Sequence, residues 1–203
     1  MTITFPRAIP AVSYTRVDVT LNDQVAAART KAGTSERSEI GDPFWTVDLE
    51  TAPLKMAEKD EVEAWALSLR GGSKYVLFAN PHRYYPKNHQ AVTTPAADTG
   101  LISSVASGNI MTVTGVSTSL NLAPGDMVGL LNTHYHMARV TEFAIADTTA
   151  TITVEPPPPS DLAVSGTVVS FVSPPLLMRL VPGSLKISGT GLFRISFSLE
   201  ESR

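Results

Sequence analysis

Residues 44–86 read FWTVDLETAPLKMAEKDEVEAWALSLRGGSKYVLFANPHRYYP, and their patterning decides the fold. Trp45, Val47 and Leu49 alternate with Thr46 and Asp48, the period of a half-buried strand. Pro53 has no N–H to give a ladder and ends that strand. Val62, Trp65, Ala66 and Leu69 then recur at i, i+3, i+4 and i+7, one face of a helix over about 56–70. Glu58, Asp60 and Glu61 lie toward its positive start and Arg70 at its end, which suits the macrodipole. Gly71 and Gly72 supply a left-handed stop. Tyr75, Val76, Leu77 and Phe78 form a near-continuous apolar strand, which Asn80-Pro81 turns away. A strand, a helix packed over it and a second strand make Trp45 and Trp65 core residues, together with Val62, Leu69 and Phe78. Replacing either ring with Ala is expected to cost roughly 3–5 kcal/mol.

Working outward, residues 1–11 look like an irregular arm broken by Pro6 and Pro10. Residues 12–21 (VSYTRVDVTL) alternate and read as a strand. In residues 22–43, VAAARTKAG has helical propensity but little apolar face, so a surface loop is expected, with a short strand at 34–40 leading toward Trp45. On the other side, His82, Arg83, Tyr84, Tyr85, Lys87 and His89 form a polar-aromatic cluster, either a strand-end loop or a binding surface.

From Thr93 the composition shifts, and charge nearly vanishes between Thr99 and Leu122. Short strand patterns follow at 101–105, 110–114, 127–131, 135–144, 149–154 and 167–172, with turns at 107–109, 123–126 and 146–148. This spacing predicts a compact barrel or sandwich. Pro156 to Pro159 predict an extended connector. Pro95 and the Pro174-Pro175 pair bracket an inserted all-β unit over 97–173, leaving 1–96 and 174–203 as the surrounding domain. Residues 192–199 (LFRISFSL) return to alternation, with Phe193, Ile195, Phe197 and Leu199 on one face to close the first sheet. The expected class is mainly β with one helix: a β-sandwich-like domain carrying a small inserted barrel.

Composition narrows the chemistry. The 203 residues are 43% hydrophobic and 17% charged, with net charge −3 and no cysteine. That excludes disulfides and thiolate metal sites and gives no electrostatic case for sequence-specific nucleic-acid binding. The start, MTITFPRAIP, lacks the basic and apolar regions of a signal peptide, and no stretch approaches the roughly 20 apolar residues of a membrane helix. His134 and His136 sit two apart without a third ligand nearby in sequence, so no metal site is expected. Asp48 and Glu50 form a carboxylate pair of the kind common on solvated strands. No nucleophile elbow, P-loop or dinucleotide glycine pattern occurs, and Gly189-Thr190-Gly191 precedes a strand, not a helix. No catalytic residue and no cofactor is expected.

The stretch 44–86 resembles a pattern in tail proteins of long-tailed bacteriophages: a Trp-led strand, a proline-leucine turn, a helix containing EVEAW and an aromatic strand ending in a proline loop. APGDMVGLLNTHYHMARVTEF (123–143) is similar to the β-barrel often inserted in these proteins, and VPGSLKISGTGLFRISFSLEES (181–202) to their last sheet strand. The resemblance covers roughly 12–86 and 97–200. It implies a distal tail protein: a virion subunit at the tail tip that forms a homo-hexameric ring joining the tail tube to the tip hub, beside the tape-measure protein, with DNA passing through the lumen and the barrel projecting outward. A tail-tube-like subunit is the alternative within the family. Lys55 stands where a Ser or Thr helix cap is usual, and 22–43 match poorly, so ring-contact residues do not carry over. The arm 1–11 and residues 22–43 are the candidates for reaching a neighbour. A carbohydrate-binding module is a different alternative, weakened because 97–173 hold only Tyr135, Phe143 and Phe171 as aromatics. A cell-wall hydrolase lacks any recognisable dyad or triad.

Overall fold

The alternation around Trp45 belongs to a strand longer than its apolar pattern. In the computed structural model, which describes residues 3–29, 33, 35–89 and 99–202, the chain is mainly β with one α-helix. The elements are β1 (Arg7–Ala8), β2 (Tyr14–Arg29), β3 (Ser35–Thr51), α1 (Met56–Ser68), β4 (Tyr75–Phe78), a 3-10 turn (Lys87–His89), β5 (Thr99–Ala106), β6 (Ile110–Thr114), β7 (Met127–Leu131), β8 (Tyr135–Ala146), β9 (Thr149–Glu155), β10 (Val168–Ser170), β11 (Leu176–Leu180), β12 (Lys186–Ser188) and β13 (Arg194–Glu201). A seven-stranded mixed sheet runs β1-β4-β11-β13-β3-β2, with β12 also paired to β13; β10-β5-β6-β9-β8-β7 close into a barrel.

The chain divides into two compact units. One comprises residues 10–75 and 178–202. Its core is the helix on the sheet. Trp45, Val47 and Leu49 of β3 and Ile195, Phe197 and Leu199 of β13 are buried, as are Val62, Trp65, Ala66 and Leu69. The Trp65 and Phe197 rings meet at 5.3 Å. Thr51 is buried because its hydroxyl oxygen accepts the Ile195 N–H at 3.0 Å. Lys55 has no acceptor to cap the helix; instead the Glu58 carboxylate reaches back and accepts the Lys55 N–H at 2.8 Å. The helix stops as Arg70, Gly71 and Gly72 all take positive φ. At Gly72 (φ 90°) a Cβ would lie 2.2 Å from the Leu180 carbonyl oxygen, so only glycine fits.

The other unit holds residues 76–177 and the described part of 1–9. Inside the barrel, Ile102, Met111, Val128, Leu130, Val140 and Ile152 alternate inward from their strands. Leu162 and Phe171, on the segments flanking β10, fill the same core.

Several expectations change. Residues 22–43 are not a surface loop: 22–29 and 35–43 extend β2 and β3 into a long antiparallel ribbon. Its strand signal was invisible because apolar alternation arises only where one face is buried, and here both faces are exposed. Thr34 lies outside the described residues. The arm 1–11 is not wholly irregular, since β1 pairs in parallel with β4, Arg7 opposite Val76 and Ala8 opposite Leu77. The proline run, expected as an extended connector, is also packed. Pro156 and Pro158 are buried, and the chain turns as Leu162 and Ala163 donate N–H to the Pro159 carbonyl. Phe193 precedes β13 and is only half-buried, with the Lys59 ammonium 5.6 Å from its ring centroid. The cuts between units fall at 9/10, 75/76 and 177/178, whereas composition placed them at 96/97 and 173/174; residues 90–98, with Pro95, lie outside the described residues. The barrel strands themselves run from Thr99 to Ser170.

Candidate interaction surfaces

The β2–β3 ribbon leaves the packed sheet just past Leu21 and Trp45, which are cross-strand partners. Asn22 Nδ2 donates to Thr46 Oγ1 at 2.8 Å and ties its base. Register shifts at Asn22–Gln24 and Gln24–Val25 follow, bulges that bend and twist the ribbon. Beyond them Val25 faces Glu39, Ala27 faces Arg37 and Arg29 faces Ser35. Side chains on both faces are exposed throughout, including Val25 (43%) and Ile40 (70%). Asp23, Val25, Ala27, Arg37 and Glu39 line a shallow depression on one face. β2 is also the last strand of its sheet, so its outer edge offers backbone groups for pairing.

The sheet face opposite the helix is polar, by strand alternation. The register aligns Arg16, Glu50 and Ser196 in one row and Asp18, Asp48 and Ser198 in the next. Arg16 pairs with Asp18, and Arg194 Nη1 with Glu50 Oε1 at 3.3 Å. The hydrogen bond and charge of Asp18, aided by Asp48 and Glu50, hold the Arg16 guanidinium above its usual pKa. Ser198 Oγ donates to Asp48. Asp48 and Glu50 are thus brought together, in an open groove of about 390 Å³ beneath the 181–184 turn, each engaged by a neighbouring donor or cation.

The 80–89 cluster is pinned to the 121–126 turn of the barrel unit. Arg83 Nη1 donates to the Gly125 carbonyl at 3.0 Å and Lys87 Nζ to the Pro124 carbonyl at 3.3 Å. The buried Asp126 carboxylate accepts the Lys87 and Ala123 N–H groups. His89 is buried, and its Nε2 accepts the Asn121 N–H at 2.9 Å, so the neutral ring carries its proton on Nδ1. Tyr84 stands 54% exposed, its ring edge-on to Tyr85 at 4.7 Å. Burial, and then the charge of Arg83, push the Arg139 guanidinium pKa down.

The histidine pair separates. His134 precedes β8, with Nδ1 3.1 Å from Asp161 Oδ2, while His136 is fully buried in the strand. Among the described residues no group of three or more His, Asp or Glu is placed to hold a metal ion, and no helix is long and apolar enough to cross a membrane. Of the expected core residues, Trp45, Val62, Trp65, Leu69, Phe78 and Phe197 are buried, and Phe193 alone is not. The pinning of 80–89 across a long sequence separation was missed, because its backbone partners leave no residue-type signal. No protein-family model matches the chain, and no curated protein matches its sequence.

Proposed function

We propose that the protein is a structural subunit that assembles with copies of itself, as the resemblance to phage distal tail proteins implies. The observation that carries this reading is the β2–β3 ribbon. A two-stranded ribbon with no covering layer is marginal in water on its own. Here it exposes Val25 and Ile40 together with a sheet edge. A neighbouring copy that covers it removes both liabilities, and a head-to-tail contact of this kind forms a ring where its rotation closes. The ribbon's outer strand, residues 22–29, spans roughly 25 Å at about 3.3 Å per residue, long enough to cross onto a neighbour. The polar sheet face, with Asp18, Asp48 and Glu50 balanced by Arg16 and Arg194, suits a wall that DNA passes without adhering. In this reading the subunit sits at the virion tail tip between tube and hub, and performs no catalysis.

Light scattering coupled to size-exclusion chromatography is the direct test, with electron microscopy of particles to place the subunit. A closed oligomer near six copies is expected. A chain that stays monomeric at high concentration and is missing from particles would sink the proposal.

A further inference from the structure

Charge on the β2–β3 ribbon is sorted from base to tip. Asp23, Val25, Ala27 and Arg29 alternate onto one face of β2, and β3 adds Glu39 opposite Val25 and Arg37 opposite Ala27. From the base outward this face reads acid, valine beside acid, alanine beside base, base. Glu36, opposite Ala28, belongs to the other face. Asp42, at the base, has an interaction of its own within the chain. Asp23 and Arg29 stand roughly 20 Å apart at about 3.3 Å per residue, too far to answer one another. Among the described residues Asp23, Arg29, Arg37 and Glu39 enter no ion pair, and all four are exposed.

This order of charges is its own complement. Two acids lie on one side of the Ala26 level and two bases on the other, at matching steps. A second ribbon laid face to face and running the opposite way sets Arg29 over Asp23 and Arg37 over Glu39, each pair twice. Val25 then meets Ala27 in the middle, and both leave water. An overlay running the same way brings acidic levels together and basic levels together, which opposes it. We propose that this face is a two-fold contact through which two copies of the chain pair by antiparallel ribbons. The inference rests on the reading that copies assemble, and adds an isologous contact to the head-to-tail one. The outer edge of β2 and the other ribbon face stay free for a ring neighbour. The face is roughly 25 Å long and about 10 Å wide, well short of the ~800 Å² per partner of a standard interface. One contact is therefore weak, and an assembly that presents several at once multiplies it.

Light scattering of the full chain at low and high salt reads the contact. At low salt a species of twice the high-salt mass is expected, since salt screens attraction between exposed charges. Asp23→Arg and Arg29→Asp each set like charges together and should weaken the doubling about tenfold or more. Two double variants then keep the wild-type net charge and differ only in register. Asp23→Arg with Arg29→Asp exchanges the signs of a matched pair and should double as wild type does. Asp23→Arg with Arg37→Glu creates like-charge contacts throughout and should not double. Lys186→Glu, off the ribbon, alters net charge as Arg29→Asp does and should behave as wild type. Every substituted side chain is exposed, so folding should persist. This inference and the ring reading fail separately. A wild type that keeps one ring-sized mass at every salt overturns the pairing and leaves the ring; a monomer that doubles at low salt supports the pairing and sinks the ring. Equal behaviour of the two double variants overturns the pairing whatever the size of the starting species.

Discussion

In the barrel β10 pairs with both β5 and β7, so each strand has two neighbours and the ladder has no end. In the ribbon β2 pairs only with β3, and past Asn22 neither face has a layer over it. The same β geometry therefore has two different sources of stability. The barrel encloses Ile102, Met111, Leu130, Ile152, Leu162 and Phe171 at near-zero exposure and is complete within one chain. The ribbon buries almost nothing, and no core within the chain holds its described residues. The body of the sheet lies between these limits, with a helix on one face and water on the other.

Substitutions should separate these regimes, starting with the barrel. Phe171→Ala removes a ring that is 1% exposed and should cost about 3–5 kcal/mol in denaturant unfolding. A loss below about 1 kcal/mol would mean that the barrel core tolerates a void and the contrast with the ribbon is overstated. In the sheet body, Gly72→Ala puts a Cβ against the Leu180 carbonyl at positive φ and should cost roughly 2–4 kcal/mol; wild-type stability there would show that the close approach relaxes freely. Thr51→Val leaves the Ile195 N–H without its acceptor in a buried site and should cost about 1–3 kcal/mol, visible in the thermal midpoint.

A smaller effect belongs to Tyr14, whose hydroxyl donates to the Pro10 carbonyl at 2.9 Å. Burial pushes its phenol pKa up, so the folded state keeps the proton longer than the unfolded chain does. That contribution is whole below the ordinary phenol pKa of about 10 and is lost as pH rises from there toward the folded value. Tyr14→Phe should cost about 1 kcal/mol at neutral pH and flatten the fall in stability above pH 10 or so. An unchanged alkaline slope would show that Tyr14 is not its source.

The smallest change in stability is expected from the largest deletion. Replacing residues 24–39 by an Asn-Gly turn removes the exposed ribbon and should shift unfolding by no more than about 0.5 kcal/mol. The same variant should no longer assemble in light scattering. If it assembles as the full chain does, the ribbon is not the contact; if it unfolds readily, the ribbon is part of the body and the comparison fails at its root.

Legibility in the sequence followed burial. The helix face from Val62 to Leu69 and the alternation at Trp45 and Phe197 were readable because one side of each element meets a core. The barrel strands were readable because each is short, alternates, and ends at a turn with a forced conformation, such as Ser107-Gly108 or Asp147, all at positive φ. Phe193 was misplaced because the alternation begins one residue before β13, where the ring is only half covered and meets the Lys59 ammonium. The ribbon was unreadable for the same reason that it is interesting: a strand wet on both faces has no periodicity to betray it. Pinning of Arg83, Lys87 and His89 to the 121–126 turn was equally silent, since the backbone carbonyls and the backbone N–H that hold them occur in nearly every residue type.

By itself the sequence determined a β-rich chain with one amphipathic helix, no cysteine chemistry and a small-strand region beginning near Thr99. These follow from local rules of period, turn and composition. Only the tertiary structure decided that six strands close on themselves, that residues 22–29 and 35–43 run on as a bare ribbon, and that two cations converge on adjacent carbonyls of a turn far away in the chain. Closure, extension and convergence depend on which backbone groups find each other across long separations, and hydrogen-bond partners of that kind leave no mark on the side-chain pattern.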